Sequence, residues 1–348
     1  MQTFSMMNPH VFVASARWSN RQFARNPDCQ QATLIHFQKC YWTIQEIFDH
    51  PTKYGINIHQ HDPCVFLDIA CAPGGFSQYL LDHFPLSQGY GITLPQSLGG
   101  FHMAVHANPP SRFQLCYFDL LSPPMAPSPH IDSPVDIAIG DAQYFPRSQE
   151  ALEEYKGRKA GTVTGGRLGL LLREFVIALS ALKEGGSFIF RFVVWEKVHS
   201  NILRLFFLCF DLFESVRAFK SEYQHTADCT FYAVCTRFKR KRYVDLDIET
   251  HLKIAYARVV LSPAFAAVHN GTINCFQVIH ASHCQPAHRG PETTEPTLNK
   301  PDAHIFESLY PFKDMKKHEY FQKTCDMFTI VYKMFLIGQS SYTDHYKI

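Results

Sequence analysis

The run Val65-Phe-Leu-Asp-Ile-Ala70 is followed at once by Cys71-Ala-Pro-Gly-Gly75 and then by Phe76-Ser-Gln-Tyr-Leu-Leu81, and it constrains the fold more than any other stretch. A short apolar run closed by a turn signal reads as a buried strand, and the segment after the glycines reads as a helix. Gly89-Tyr-Gly-Ile-Thr-Leu94 reads as a second strand, ended by Pro95. Strand, helix and strand in that order predict a right-handed crossover between parallel strands, the unit of an α/β sheet.

The same alternation continues. Arg112 to Phe118 is predicted as a strand ending at Asp119, and Val135 to Ile139 as a strand ending at Asp141, with a Pro/Ser-rich loop from Ser122 to Pro134 between them. Ligands of open α/β sheets bind at the carboxyl ends of the strands, so both acids are placed for chemistry. A polar, Gly-rich loop from Glu150 to Gly166 leads to a helix over Leu168 to Leu182, stopped by Lys183-Glu-Gly-Gly186. Ser187 to Val194 is then a buried strand with one basic residue, Arg191. A helix from Asn201 to Phe210, with Ser200 as its N-cap, precedes two strands, Ser215 to Lys220 and Cys229 to Thr236. No helix fits between those two, which predicts an antiparallel hairpin. The expected fold class is α/β: a Rossmann-like, doubly wound, mostly parallel seven-stranded sheet that ends in an antiparallel hairpin.

At 348 residues the chain exceeds what one core usually organises. Residues 1–30 read as an N-terminal extension, 31–240 as the main domain, and 241–348 as a helical appendage that packs on that domain or on a partner. The appendage holds a Pro/His/Thr-rich stretch at 282–302 expected to be disordered. Its last element carries Phe321, Cys325, Phe328, Tyr332 and Phe335 on one helical face. A hydrophobic content of 46% excludes disorder of the whole. The net charge of +2 excludes a globally basic coat for nucleic acid, so RNA binding needs a local patch. Two clusters offer one: Tyr155-Lys-Gly-Arg-Lys-Ala-Gly161 with Arg167, and Arg237-Phe-Lys-Arg-Lys-Arg242. Solvated surface charge or a nuclear import signal would read the same way.

The 11 cysteines are scattered without a Cys-x-x-Cys pair, and His269 to His288 lack ligand spacing, so no disulfide framework and no metal site is expected. Without a signal-peptide pattern or an apolar run long enough to span a membrane, the expected location is intracellular, nucleus or cytoplasm.

The string Leu67-Asp-Ile-Ala-Cys-Ala-Pro-Gly-Gly-Phe-Ser-Gln-Tyr-Leu80 lacks the G-x-G-x-x-G of dinucleotide sites and the Lys-Ser/Thr of a P-loop. It resembles the cofactor turn of the FtsJ/RrmJ-like RNA 2′-O-ribose methyltransferases. Gly91-Ile-Thr-Leu94, Leu170 to Phe188, Phe213 to Lys220 and Phe231 to Cys235 are similar, in order, to segments of the cap-methylating branch. The resemblance covers about residues 30 to 238. It implies S-adenosylmethionine as cofactor, with Asp68, Ala72, Pro73, Gly74, Gly75 and Phe76 at its methionine end. It further implies Thr93 near the ribose, Asp119 near the adenine amino group and Asp141 near the methyl group.

That family acts through a Lys-Asp-Lys-Glu tetrad. By resemblance Lys39 matches the first Lys and Asp141 the Asp, whereas Arg191 occupies the second Lys position and Thr230 the Glu position. Guanidinium does not lose its proton, so Arg191 cannot serve as a base, though it can hold an oxygen and stabilise negative charge. Asp228 or Glu222 are candidates to replace the missing carboxylate. Lys39 also reads as a solvated helix lysine, and Arg191 as one half of a structural ion pair with Asp141. The implied function is methyl transfer to a ribose 2′-hydroxyl of RNA, cap-proximal RNA included. The alternatives are a degenerate relative that binds cofactor or RNA as a scaffold, and a methyltransferase redirected to a small molecule.

Overall fold

A computed structural model describes residues 30–56, 58–124, 126, 129–143, 165–193, 197–221, 230–261, 272–274, 319, 322, 323 and 327. The helices are α1 (Gln30–Phe48), α2 (Pro51–Tyr54), α3 (Gly75–His83), α4 (Gly165–Ala181), α5 (Ser200–Leu212), α6 (Arg240–Asp245) and α7 (Ile248–Leu261). The strands are β1 (Val65–Ile69), β2 (Gln88–Thr93), β3 (Phe113–Tyr117), β4 (Val135–Gly140), β5 (Leu182–Val193), β6 (Lys197–His199), β7 (Phe213–Phe219), β8 (Thr230–Phe238) and β9 (Thr272–Asn274).

Seven strands form one sheet in the order β3-β2-β1-β4-β5-β8-β7, and β6 pairs with β9 in a separate ribbon. β3, β2, β1, β4 and β5 run parallel, whereas β8 is antiparallel to both of its neighbours. The expected hairpin is present, and its second strand is slotted between β5 and β7. The apolar runs of β1, β4 and β5 follow from burial on both faces. Ile137 and Ile139 pack with α1 and α3 residues such as Ile44, Ile47 and Leu80, while Ala138 and Phe188 pack with Phe175 of α4 and Leu205 of α5.

The helix α4 ends at Ala181, before Lys183-Glu-Gly-Gly186, but β5 begins earlier than the expected Ser187 and takes in those residues. Leu182 already pairs with Val135, the register shifts between Val135 and Ile137, and Gly185 takes up the irregularity at φ 75°.

The elements after the sheet share its core. Tyr243, Ile248, Leu252, Ala255, Tyr256 and Val259 are buried in the same apolar cluster as α4. The residues named for the amphipathic last helix, Phe321, Cys325, Phe328, Tyr332 and Phe335, and the stretch 282–302 lie outside the described residues; Met327 is described and buried in that cluster. The basic run at the end of β8 is tied to its own domain. Arg237 pairs with Glu214 at 2.7 Å, Lys241 with Asp245 at 2.6 Å and Arg242 with Asp211 at 2.9 Å, while Arg240 donates to the Leu182 carbonyl at 2.6 Å. Intramolecular bonds thus account for charges that the sequence also allowed as an RNA patch. The other basic cluster, Tyr155 to Gly161, lies outside the described residues. Among the described residues no helix is long and apolar enough to cross a membrane.

Candidate active site

Every parallel strand from β1 to β4 delivers a residue of interest at its carboxyl end. Asp68 lies in β1, with Ala72 to Phe76 in the turn and first residues of α3 that follow; Thr93 ends β2, Asp119 follows β3 and Asp141 follows β4. A crossover sheet brings these ends to one edge although they are spread over some seventy residues of sequence.

The turn is fixed by close packing. Gly74 sits at φ 108°, a conformation that favours glycine. A side chain at Gly75 would come within 2.0 Å of the Phe37 carbonyl oxygen and 2.7 Å of the Tyr41 nitrogen, so α1 lies directly against the start of α3. Phe76 turns its ring inward onto Tyr232, 6.0 Å between centroids, which leaves its backbone as the part available to a ligand. Asp68 is fully buried. One of its oxygens, Oδ2, accepts the Ser77 hydroxyl at 2.6 Å, and Oδ1 has no hydrogen-bond partner among the described residues. Burial, partly offset by the Ser77 bond, pushes its pKa up to about 7.

The segment from Phe101 to Ala107 straps across this turn. Ala104 N–H donates to the Pro73 carbonyl at 2.9 Å, and Met103 Sδ lies 3.9 Å from Cys71 Sγ. Gln78 brackets His106, accepting its N–H at 2.7 Å and donating to its carbonyl at 3.3 Å. Val105 and Met103 fill the space where a Gly74 side chain would stand. The strap thereby packs directly against the turn.

Asp141 anchors the second half of the site. Arg191 Nε lies 2.7 Å from Asp141 Oδ1, a close ion pair with side chains only 15% and 9% exposed. The Cys40 thiol approaches Asp141 Oδ2 at 3.8 Å; burial, then Asp141 and Asp68, raise its pKa well above the ordinary value, so it stays protonated and can donate. Burial alone would lower the Arg191 pKa, but Asp141, Tyr232 and Glu174 outweigh it and the net shift is upward. Arg191 is therefore a fixed cation. Lys39, half-buried on α1, adjoins the residue that reaches Asp141. Thr230 is buried at the start of β8, where its carbonyl accepts the Lys220 ammonium at 2.8 Å; Asp228 and Glu222 lie outside the described residues.

Sequence reasoning missed Cys40 and Glu174. Glu174, buried on α4, reaches past Gly140, whose missing side chain leaves room, and accepts Ala142 N–H at 2.6 Å. The signal was there: Arg173 and Glu174 interrupt a strongly apolar helix, and buried charges need partners. Burial raises the Glu174 pKa from 4.5 to about 8, with Asp141 adding to the shift and the Ala142 bond and Arg191 opposing it. The native chain then holds a proton that the unfolded chain releases, so this stabilisation is complete below about pH 4.5 and is lost as pH rises through about 8. Asp68 acts in the same direction. Urea unfolding between pH 5 and 8.5 is expected to show a falling stability in wild type, and a decline shallower by on the order of 2 kcal/mol in Glu174→Gln.

A separate groove lies away from these residues. It holds about 630 Å³ and opens at the opposite ends of the strands, beside Asp136, Lys183 and Arg237, and these charges are engaged in ion pairs.

None of the curated proteins matches the chain. Among solved structures, a protein described as a ribosomal RNA methyltransferase from Plasmodium falciparum is 16% identical, covers 56% of this chain and 95% of its own, and gives a TM-score of 0.37. An rRNA methylase from Streptococcus thermophilus is 13% identical, with coverages of 55% and 95% and a TM-score of 0.33. The N-methyltransferase NodS from Bradyrhizobium japonicum is 12% identical, with coverages of 57% and 97% and a TM-score of 0.33. These likenesses are too distant to carry weight. The sequence signature of FtsJ-like methyltransferases, by contrast, matches residues 45–238, more than half of the chain and the whole span of the sheet just described. The chain belongs to the FtsJ-like methyltransferase family, whose cofactor is S-adenosylmethionine.

Proposed function

We propose that the chain transfers a methyl group to a ribose 2′-hydroxyl of RNA, cap-proximal nucleotides included. The observation that carries this reading is the buried Asp141–Arg191 pair beside the glycine turn, two of the tetrad positions brought together at the ligand edge of the sheet. The residues suit the cofactor. The orphaned Asp68 Oδ1 offers an acceptor to its ammonium end, and the N-terminus of α3, which no side chain caps at Gly74, turns its positive end to the cofactor's carboxylate. When bound, the cofactor supplies a methyl group on a positively charged sulfur, already reactive toward oxygen.

The protein's task is then to align an acceptor and manage one proton. In this reading Arg191 holds the hydroxyl oxygen and stabilises the negative charge that grows on it as its proton leaves. The Asp141 carboxyl, held by Arg191 and by the Cys40 thiol, fixes the geometry at the transferring methyl. Without a lysine at 191 the proton leaves to water or to a carboxyl at the site. That replacement, with Thr230 at the Glu position, favours a second reading, a scaffold that has kept cofactor binding and lost catalysis.

Radiolabelled S-adenosylmethionine with capped and uncapped RNA separates the two. A 2′-O-methyl group blocks alkaline cleavage, so label is expected in alkali-resistant dinucleotides. Label recovered in mononucleotides would overturn the ribose assignment. Transfer absent from wild type and created by Arg191→Lys would favour the scaffold.

A further inference from the structure

The family match ends at residue 238, yet the next helices reach back into the site. Tyr256 of α7 is fully buried. Its hydroxyl lies 2.7 Å from the Leu120 carbonyl oxygen and 2.6 Å from that of Ser122, sharing one proton between two acceptors. Both carbonyls belong to the turn that Asp119 begins. Asp119 Oδ1 accepts Leu121 N–H at 3.0 Å, and its carbonyl accepts Ser122 N–H at 2.9 Å.

A second brace comes from α4. Arg173 is 2% exposed, with its guanidinium carbon 4.6 Å from the centre of the Tyr256 ring and 5.3 Å from that of Phe118. A desolvated cation between two rings is attracted to the face of each. Its Nη2 lies 3.5 Å from both the Ser122 hydroxyl and the Ala126 carbonyl oxygen. Leu121 fits where α4 and α7 come together: a side chain at Gly169 would stand 3.1 Å from Leu121 and 3.4 Å from Val260. Phe118 to Ser122 are thus gripped by two helices.

The grip has a purpose that β3 cannot serve. β3 is an edge strand, paired on one side only and without a buried residue, so the loop after it inherits little rigidity from the sheet. We propose that Tyr256 and Arg173 are positioning residues for the nucleoside end of the cofactor, which makes α7 a working part of the methyltransferase site. The inference rests on the reading that Asp119 accepts the adenine amino group. Selectivity for adenine depends on where Asp119 stands, because a site built to pair a polar group rejects an analogue lacking it only while the partner is in reach.

Calorimetry on the full chain tests this with two ligands, S-adenosylhomocysteine and S-inosylhomocysteine, which carries an oxo group in place of the adenine amino group. Wild type is expected to prefer the adenosyl ligand at least tenfold. Tyr256→Phe is expected to weaken it about fivefold to tenfold and to leave the inosyl ligand unchanged. Equal loss for both ligands, or unchanged adenosyl affinity, would overturn the proposal while sparing the cofactor assignment. Wild type that binds both equally would instead overturn the role of Asp119, and the inference with it. Should Tyr256→Phe not fold, hydrogen exchange on wild type decides. S-adenosylhomocysteine is expected to slow exchange in 119–122 and 252–259 together, and slowing confined to the loop would sink the idea.

Discussion

Asp141→Ala is expected to lower the unfolding free energy by about 3–5 kcal/mol and to reduce methyl transfer about a thousandfold. The stability loss follows from what remains. Arg191 is 15% exposed in a strand of Phe and Val, its charge cannot be discharged, and removing Asp141 takes away its ion-pair partner and leaves the cation buried. The activity loss follows from geometry, since the Ala142 peptide next to it is held by Glu174 on its N–H and approached by Arg191 Nη2 at 3.5 Å on its carbonyl. The double variant Asp141→Ala with Arg191→Met removes both charges. It is expected to recover most of the stability in urea unfolding and none of the transfer measured with labelled cofactor. If the single variant unfolds like wild type, the pair is worth no more than a surface salt bridge.

The second large effect is expected at Gly75. Alanine there would drive its methyl into the backbone of α1 at Phe37 and Tyr41, and backbone inside a helix cannot step aside. At Gly74 the obstacles are the side-chain ends of Val105 and Met103, which can move, although the φ of 108° adds strain. Gly75→Ala is therefore expected to cost about 3 kcal/mol in thermal unfolding and to abolish binding of S-adenosylhomocysteine, because α3 must tilt away from the turn. Gly74→Ala is expected to be the milder of the two in stability. The reverse ranking would show that α1 is not seated against the turn as described.

What could be read in the sequence, and what could not, divides by range. The strand, turn and helix at 65–81 announce themselves locally, and a parallel sheet follows because no short link can join those strands. Arg191 could also be read, since a guanidinium among phenylalanines requires an anion, and Asp141 is the one it finds. Glu174 could not be placed, because its partner is a backbone N–H thirty-two residues away, reached only through the gap at Gly140. The strap from Phe101 to Ala107 escaped for a related reason: its bonds to Pro73 and Gln78 use its own backbone groups, which every sequence possesses. Cys40 against Asp141 depends on the rotation of α1 about its axis, which a stretch with Trp42, Ile44 and Ile47 constrains only loosely.

The insertion of β8 between β5 and β7 has a consequence for biosynthesis. A nascent chain that has left the ribosome only as far as Phe219 carries β5 with one edge open, and that edge reads Phe188-Ile-Phe-Arg-Phe-Val193. Such a run is prone to pair with a neighbouring chain until Thr230 to Phe238 emerge and close it. Arg191, the one charge in it, acts there as a gatekeeper before that edge is closed.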